Sequence, residues 1–452
     1  MLEELRAILG DALVTDAARL EAVRTDKSGV HSAGTPLAVV EARGIADVQA
    51  AVRWAGAHGV PVVPRGAGTG LAGGAIGGPG ELVISTVRMN RVLEVSVDDE
   101  LAVVEAGVIN GDLNAALAPH GLWFAPDPAS RAISTIGGNV ATNAGGLMCV
   151  KYGVTREAVI GLKVVLADGR LLELGRRTVK GVTGYDLTAL FIGSEGTLGV
   201  IVEATVRLRP LVRGEIVTVS AAFPDVEGAA RASAAISASG VKPAVMELLD
   251  ASALEAIGAH LRLDLGGHGA QLLIRTDGAA SVSEAEQIVA IIRAEGGAVE
   301  VSHDAREGER LFEIRRSFHA AMEARGAVLI EDVAVPRSAL PAMFAAISRI
   351  EQRHGISIPT VAHAGDGNLH PNFVIDREPG GGFEVPERVW AAADELFREC
   401  LRLDGTLTGE HGVGLLKRRW LREELGDDSF ELQRALKAVF DPAGILNPGK
   451  VF

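Results

Sequence analysis

The sequence predicts an α+β protein of two principal parts, and three observations carry that expectation. Residues 38–41, 45–59 and 60–64 read as strand, amphipathic helix and strand, a βαβ opening. A glycine-dense loop follows at once, over residues 64–80. Beyond residue 215 the order strand, helix, strand occurs twice, at 216–222, 226–238 and 244–249 and again at 271–276, 284–295 and 298–303. That repeat predicts ferredoxin-like halves joined in an antiparallel sheet, and Ser281 with Glu284 predicts a capping box for the second helix. With 452 residues, 48% hydrophobic and 23% charged, the chain buries a large core and divides into two or three domains.

Charge and targeting signals narrow the partners. The net charge of −14 and a pI near 5.3 argue against a nucleic-acid backbone or an anionic membrane as the main partner. The start, MLEELRAILG, lacks the basic-then-apolar order of a secretory signal. No uncharged apolar run approaches the roughly 20 residues of a membrane span, so the expected location is cytoplasmic. Cys149 and Cys400 are the only cysteines and show no CxxC or CxxCH spacing. The chain therefore cannot ligate its own iron–sulfur cluster or a c-type haem.

The loop PRGAGTGLAGGAIGGPG offers backbone N–H groups with few side chains in the way, the composition of a pyrophosphate nest. Gly68-x-Gly70-x-x-Gly73 matches the dinucleotide fingerprint, but a Rossmann unit begins a helix inside that motif, and here a strand at 81–86 follows instead. Two readings stand from the loop alone: a phosphate site of another construction, or a flexible hairpin. Strands at 92–97 and 102–105 and a helix at 110–120 lead to a second small-residue block, PDPASRAISTIGGNVATNAGG, at 126–146. This block either approaches a large planar ligand from another side or is an ordinary surface loop. A β-rich stretch at 160–174 precedes GSEGTLGVI, and the pattern changes near Arg213-Gly214, where a domain boundary is expected.

The densest polar stretch is TVAHAGDGNLHPNF, residues 360–373. Strands at 360–362 and 369–375 around a turn at 365–368 put His363 opposite His370, with Asn372 on the same face. Two imidazoles suit a divalent transition metal, which also needs a third ligand and an open position. Glu410, in TGEHG, is the candidate third ligand, and His411 beside it the candidate base. The alternative is a satisfied cross-strand histidine pair, with Glu410 capping the next helix. Arg315, on a helix at 309–325 that also carries Arg316 and His319, either grips a carboxylate in the bidentate manner of a guanidinium or belongs to a solvated face.

The segments PRGAGTGLAGG, PDPAS, STIGGN, TNAGG, GSEGTLGVI, HAGDGNLHPN, TGEHGVG and NPGK stand in one order along the chain. Together they resemble the flavin-linked D-2-hydroxyacid dehydrogenases of the vanillyl-alcohol oxidase superfamily, the branch holding D-lactate dehydrogenase, the flavin subunit of glycolate oxidase and D-2-hydroxyglutarate dehydrogenase. The resemblance covers residues 35–452. Residues 1–34 read as a helical lead-in; the resemblance implies a two-part FAD-binding domain at 35–214, a substrate and metal cap domain at 215–410 with an antiparallel sheet, and helices at 411–452 returning to the FAD domain. Implied FAD contacts are Pro64, Arg65, Gly66, Ala67, Gly68, Thr69, Gly70, Leu71 and Gly73 in the first loop. Pro126, Asp127, Ser130, Thr135, Gly137, Gly138, Asn139, Thr142, Asn143 and Gly145 follow in the second, with Glu195, Gly196, Ile201 and Asn447 beyond it. The resemblance also implies metal ligation by His363, His370 and Glu410, His411 as base, and substrate contacts from Arg315 and Asn372.

The implied activity is oxidation of a D-2-hydroxy acid to the 2-oxo acid by hydride transfer to flavin N5, with Zn²⁺ or Mn²⁺ as the metal. Residues 65–74 contain no histidine for covalent attachment, so the FAD is expected to be non-covalent. His319 and Ile330 stand where dicarboxylate-specific relatives place Thr and Lys, which favours D-lactate or glycolate over D-2-hydroxyglutarate. Electrons must then leave to a quinone, a cytochrome, an electron-transfer flavoprotein or an iron–sulfur partner, an acceptor that could also hold the protein at a membrane periphery. Competing classes are a nicotinamide-dependent dehydrogenase, a metal-dependent hydrolase and a non-catalytic flavoprotein subunit.

Overall fold

Strands buried on both faces lack the alternation of a half-solvated sheet, and Ala38–Glu41, Leu82–Ser85 and Val62–Arg65 are of this kind, with Val39, Val40, Val62, Val63, Val83 and Ile84 all fully buried. The three run parallel, with Leu82–Ser85 in the middle. The computed structural model describes residues 1–375 and 385–452, and these form two units. The first holds Met1–Gly145, Gly153–Leu211 and Glu410–Phe452; the second holds Gly146–Tyr152 and Val212–Gly409.

In the first unit the helix Ile45–His58 packs Val48, Ala51, Val52 and Ala55 into the core beside that sheet. It ends where Gly59 turns left-handed and returns its N–H to Ala55. The N-terminal segment is not wholly helical: Leu13–Val14 pairs antiparallel with Ala38–Glu41 and extends the sheet by one strand. A second, antiparallel sheet of five strands runs Val92–Ser96, Leu101–Glu105, Val200–Arg207, Val159–Val165, Leu171–Gly175. The short helix Ile136–Thr142 sits against it so closely that a Cβ on Gly137 would come 2.6 Å from Ala106 Cβ. The last helix, Arg418–Phe440, is broken in two at Gly426, whose φ is 71°.

The second unit is an eight-stranded sheet. Four strands stand in the order Ala298–Ser302, Val217–Phe223, Ala270–Thr276, Val245–Asp250, all antiparallel, with the helices Val226–Ala238 and Ser281–Ala294 between strands in sequence. This is the ferredoxin-like arrangement expected. Thr360–His363 continues the sheet from Val245–Asp250, followed by Asn368–Ile375 and Ala327–Ile330, with Val333–Ala334 also on Asn368–Ile375. Asp250 joins the two halves: it caps the helix Ala251–Leu261 through the Ala253 N–H at 2.7 Å and accepts the Thr360 N–H at 2.8 Å. Burial pushes its carboxyl up to about 7 despite those bonds.

Two local expectations are corrected. Ser281 is not a cap: it is the first helical residue, it is buried, and its carbonyl accepts from Thr276 Oγ1 at 2.8 Å. The helix expected at 309–325 is two helices, Ala305–Arg316 and Phe318–Arg325. They part at Ser317, whose hydroxyl donates to the Glu313 carbonyl at 2.9 Å. Among the described residues no helix is long and apolar enough to cross a membrane.

Candidate active site

The glycine loop is a cradle shaped by its neighbours. No helix starts inside it: the strand Val62–Arg65 runs into the loop and Leu82–Ser85 follows, which removes the Rossmann reading. Arg65 folds beneath the loop, donating to the Ala75 carbonyl at 2.6 Å, and Gly68 above it takes a φ of 72°. A Cβ on Gly66 would lie 2.4 Å from Thr135 Oγ1, so the first loop meets the start of the second small-residue block. Thr135 caps the helix Ile136–Thr142 by accepting the Gly138 N–H at 3.2 Å. Asn139 on that helix is buried, and its Nδ2 donor has no partner among the described residues. Asn143 ends the helix in the left-handed region, and Thr142 and Gly145 flank it.

The remaining expected contacts lie in the same unit. Pro126 accepts from Asn110 Nδ2 at 3.0 Å, and Asp127 and Ser130 lie in the same loop. Ala67, Thr69, Gly70, Leu71 and Gly73 complete the first loop, beside Pro64, against which Gly196 is packed. Ile201 is buried on the strand Val200–Arg207. Two residues serve the cradle through structure rather than by an exposed polar end. Asn447 spends its amide on the carbonyls of Gly74 and Glu195, at 2.9 and 2.7 Å. Both oxygens of the buried Glu195 carboxylate accept backbone N–H groups, from Val413 at 2.7 Å and Gly414 at 2.9 Å. Burial pushes Glu195 up to about 7 against those bonds. Lys450, not singled out beyond its place in NPGK, ties Asn447 Oδ1 to the Ile76 carbonyl, and burial brings it down to about 8.

In the second unit the hairpin forms with a shifted register. Asn368, expected in the turn, is the first residue of the returning strand and stands opposite His363, while His370 stands opposite Val361. His363 and His370 are therefore diagonal neighbours on one face, their ring centroids 5.0 Å apart and their planes 84° to each other. Asn372 shares that face and donates from Nδ2 to the His370 carbonyl at 2.8 Å. All three side chains are buried.

Two carboxylates that sequence reasoning missed stand beside these rings. Glu247, opposite His363 in the neighbouring strand, accepts at Oε1 from His363 Nδ1 at 2.7 Å. Its Oε2 pairs with Arg315 at 2.7 Å. Arg315 is thus an internal ion-pair partner, not a solvated cation, and its buried Nε has no partner among the described residues. Asp332 lies 3.6 Å from His370 Nδ1 and accepts from Asn368 Nδ2 at 2.7 Å and Thr408 Oγ1 at 2.6 Å. A signal for both existed: each is an acidic residue inside an apolar strand run, MELLD and LIEDVAV. His319, by contrast, is exposed and faces Glu323 at 3.3 Å.

Two residues beyond Thr408 the chain re-enters the first unit at Glu410, with His411 next. Within that unit the Glu410 carboxylate lies on the cradle, since a Cβ on Gly145 would come 2.4 Å from its Oε2. His411 Nε2 is 3.8 Å from Glu410 Oε1.

Comparison with known proteins agrees with the two-part architecture. Residues 36–175 match the family described as "FAD binding domain", and residues 214–451 match "FAD linked oxidases, C-terminal domain". The Bacillus subtilis (strain 168) "Glycolate oxidase subunit GlcD" is 42% identical over 423 residues, covering 92% of this chain and 89% of that one. The "Probable D-lactate dehydrogenase, mitochondrial" of Danio rerio is 35% identical over 459 residues, covering 100% and 91%. A solved p-cresol methylhydroxylase shares the fold, with a TM-score of 0.82 at 19% identity over 100% of this chain and 96% of that one. Fold and family together define an FAD-linked oxidoreductase. Within that class, the chain belongs to the flavin-linked D-2-hydroxyacid dehydrogenase branch of the vanillyl-alcohol oxidase superfamily.

Proposed function

We propose that this protein oxidises a small D-2-hydroxy acid, D-lactate or glycolate, to the 2-oxo acid, using non-covalent FAD and a divalent metal held by His363, His370 and Glu410. The observation that carries the metal reading is that His363 Nδ1 is hydrogen-bonded to the buried Glu247 carboxylate at 2.7 Å, while the buried Asp332 carboxylate lies 3.6 Å from His370 Nδ1. A ring that donates at Nδ1 bears its lone pair at Nε2, the usual second-shell arrangement of metal-ligating histidine. Two imidazoles and a carboxylate suit Zn²⁺ or Mn²⁺, and Glu410 is tethered two residues from Thr408, which is bonded to the same Asp332 that faces His370. The cradle likewise fits FAD: Gly66 and Gly68 leave no room for a Cβ, and the buried Asn139 donor has no acceptor among the described residues.

When bound, the metal supplies Lewis acidity that lowers the pKa of the substrate hydroxyl. When bound, the flavin supplies the two-electron acceptor for the hydride of the carbinol carbon, taken at N5. The chain does the rest. His411 accepts the hydroxyl proton at Nε2, a role suited to imidazole near neutral pH. Arg315, oriented by Glu247, holds the acid carboxylate through its remaining donors, and Asn372 holds an oxygen from the hairpin face. The buried hairpin face keeps water away. Ile330 stands directly opposite Asn372 in the ladder and places an apolar side chain beside it, which favours a small acid over a dicarboxylate. The names of the Bacillus and Danio relatives point to the same two substrates. With two cysteines in no cluster spacing, the electrons pass on to a separate quinone, cytochrome, flavoprotein or iron–sulfur acceptor.

The test is an anaerobic visible spectrum before and after D-lactate, glycolate, D-2-hydroxyglutarate and L-lactate, each added alone. The expected result is bleaching of the flavin by D-lactate or glycolate and none by L-lactate. Bleaching by D-2-hydroxyglutarate alone would replace the small-acid reading.

A further inference from the structure

We infer that Glu195 is a positioning residue for the loop that carries Glu410 and His411, an inference that rests on the reading of His411 as the base. The whole arrangement lies within the first unit. The two carboxylate oxygens take two consecutive backbone donors, Val413 N–H at 2.7 Å and Gly414 N–H at 2.9 Å, which fixes the orientation as well as the position of the chain two residues after His411. The loop is laid flat on that carboxylate. Gly412 has a φ of 86°, and a Cβ there would come 2.9 Å from Glu195 Cδ.

Glu195 is itself held from two sides. Its N–H donates to the Ala141 carbonyl at 2.8 Å, on the helix that opens with the capped Thr135. Its carbonyl accepts from Asn447 Nδ2 at 2.7 Å. The residue holds a φ of 50°, a left-handed conformation that a side chain rarely takes. This buried, conformationally strained carboxylate has both oxygens on the backbone of another segment. What it does is hold that segment, and the functional groups of that segment are Glu410 and His411.

The experiment compares Glu195→Gln, His411→Ala and the double variant as FAD-loaded proteins, by the limiting rate of anaerobic flavin reduction and the acid concentration giving half of it. Gln keeps the size but turns an NH₂ toward one of the two N–H donors. The expected result is a limiting rate about 10- to 100-fold lower, the range of second-shell substitutions, with half-saturation and FAD-to-protein ratio unchanged. The double variant is expected to be no slower than His411→Ala alone, since the groups act as one unit. Gly412→Ala, which forces the loop off the carboxylate, is expected to give the same loss and serves if Glu195→Gln does not fold. An unchanged rate in Glu195→Gln beside a slow His411→Ala overturns the positioning role alone. Loss of activity restored by added FAD also overturns it, as does a multiplicative double variant. Full activity in His411→Ala instead overturns the base assignment beneath it.

Discussion

Replacing His411 with Ala is expected to leave a yellow, FAD-bound protein whose flavin is reduced by D-lactate or glycolate at least about 10²- to 10⁴-fold more slowly, the contribution of a positioned general base. The FAD cradle does not depend on this side chain: its shape comes from Gly66 against Thr135, Gly196 against Pro64 and the Asn447 amide. Loss of rate without loss of colour therefore separates catalysis from cofactor binding. Rapid-mixing absorbance under anaerobic conditions measures it, and wild-type rates in the variant would remove His411 from the reaction.

The second large effect is expected from Glu247→Gln. This carboxylate lies between His363 and Arg315 with no exposure to solvent, so the amide cannot satisfy both donors. Breaking one side of a buried ion pair costs on the order of 3–5 kcal/mol, and removing a second-shell carboxylate from a metal-binding histidine lowers metal affinity by about 10- to 100-fold. The variant should therefore unfold at lower denaturant concentration and lose its metal on dialysis. It should also require more hydroxy acid for half-saturation, because Arg315 loses the partner that orients it. Undiminished metal content after dialysis would mean that Glu247 supports only the fold.

What could be read from the sequence follows from how local each feature is. A backbone that approaches a ligand closely must be glycine-rich, so residues 64–80 and 126–146 announced themselves, and the absence of a helix inside the first loop followed from Gly77, Gly78, Pro79 and Gly80. The two histidines, Asn372 and the Glu410-His411 pair were likewise visible as polar clusters in apolar surroundings. Glu247 and Asp332 stood out only as acids inside apolar runs, and their roles depend on partners distant in sequence: Glu247 meets His363 across 116 residues, and Asp332 meets Asn368 across 36 and Thr408 across 76. The hairpin register slipped by the same logic: alternation fixes which face His370 occupies, but a shift of two residues keeps every face and changes every partner. The break at Ser317 turned on one hydroxyl bond to a carbonyl, and the failed cap at Ser281 on a burial that only the surrounding sheet creates. The assignment of Gly146–Tyr152 to the second unit has the same origin. Leu147, Met148 and Tyr152 pack with Val245, Leu273 and Phe312, partners that no local pattern announces.

The most direct test of the central claim is chelation. Purified protein is dialysed against a chelator, its FAD content confirmed, and D-lactate or glycolate added anaerobically while the flavin absorbance is followed, before and after Zn²⁺ or Mn²⁺ is returned. Metal-directed oxidation at His363, His370 and Glu410 predicts a yellow protein that the acid no longer bleaches, and bleaching restored by the metal. Bleaching at the undiminished rate in protein shown to be free of metal would contradict it.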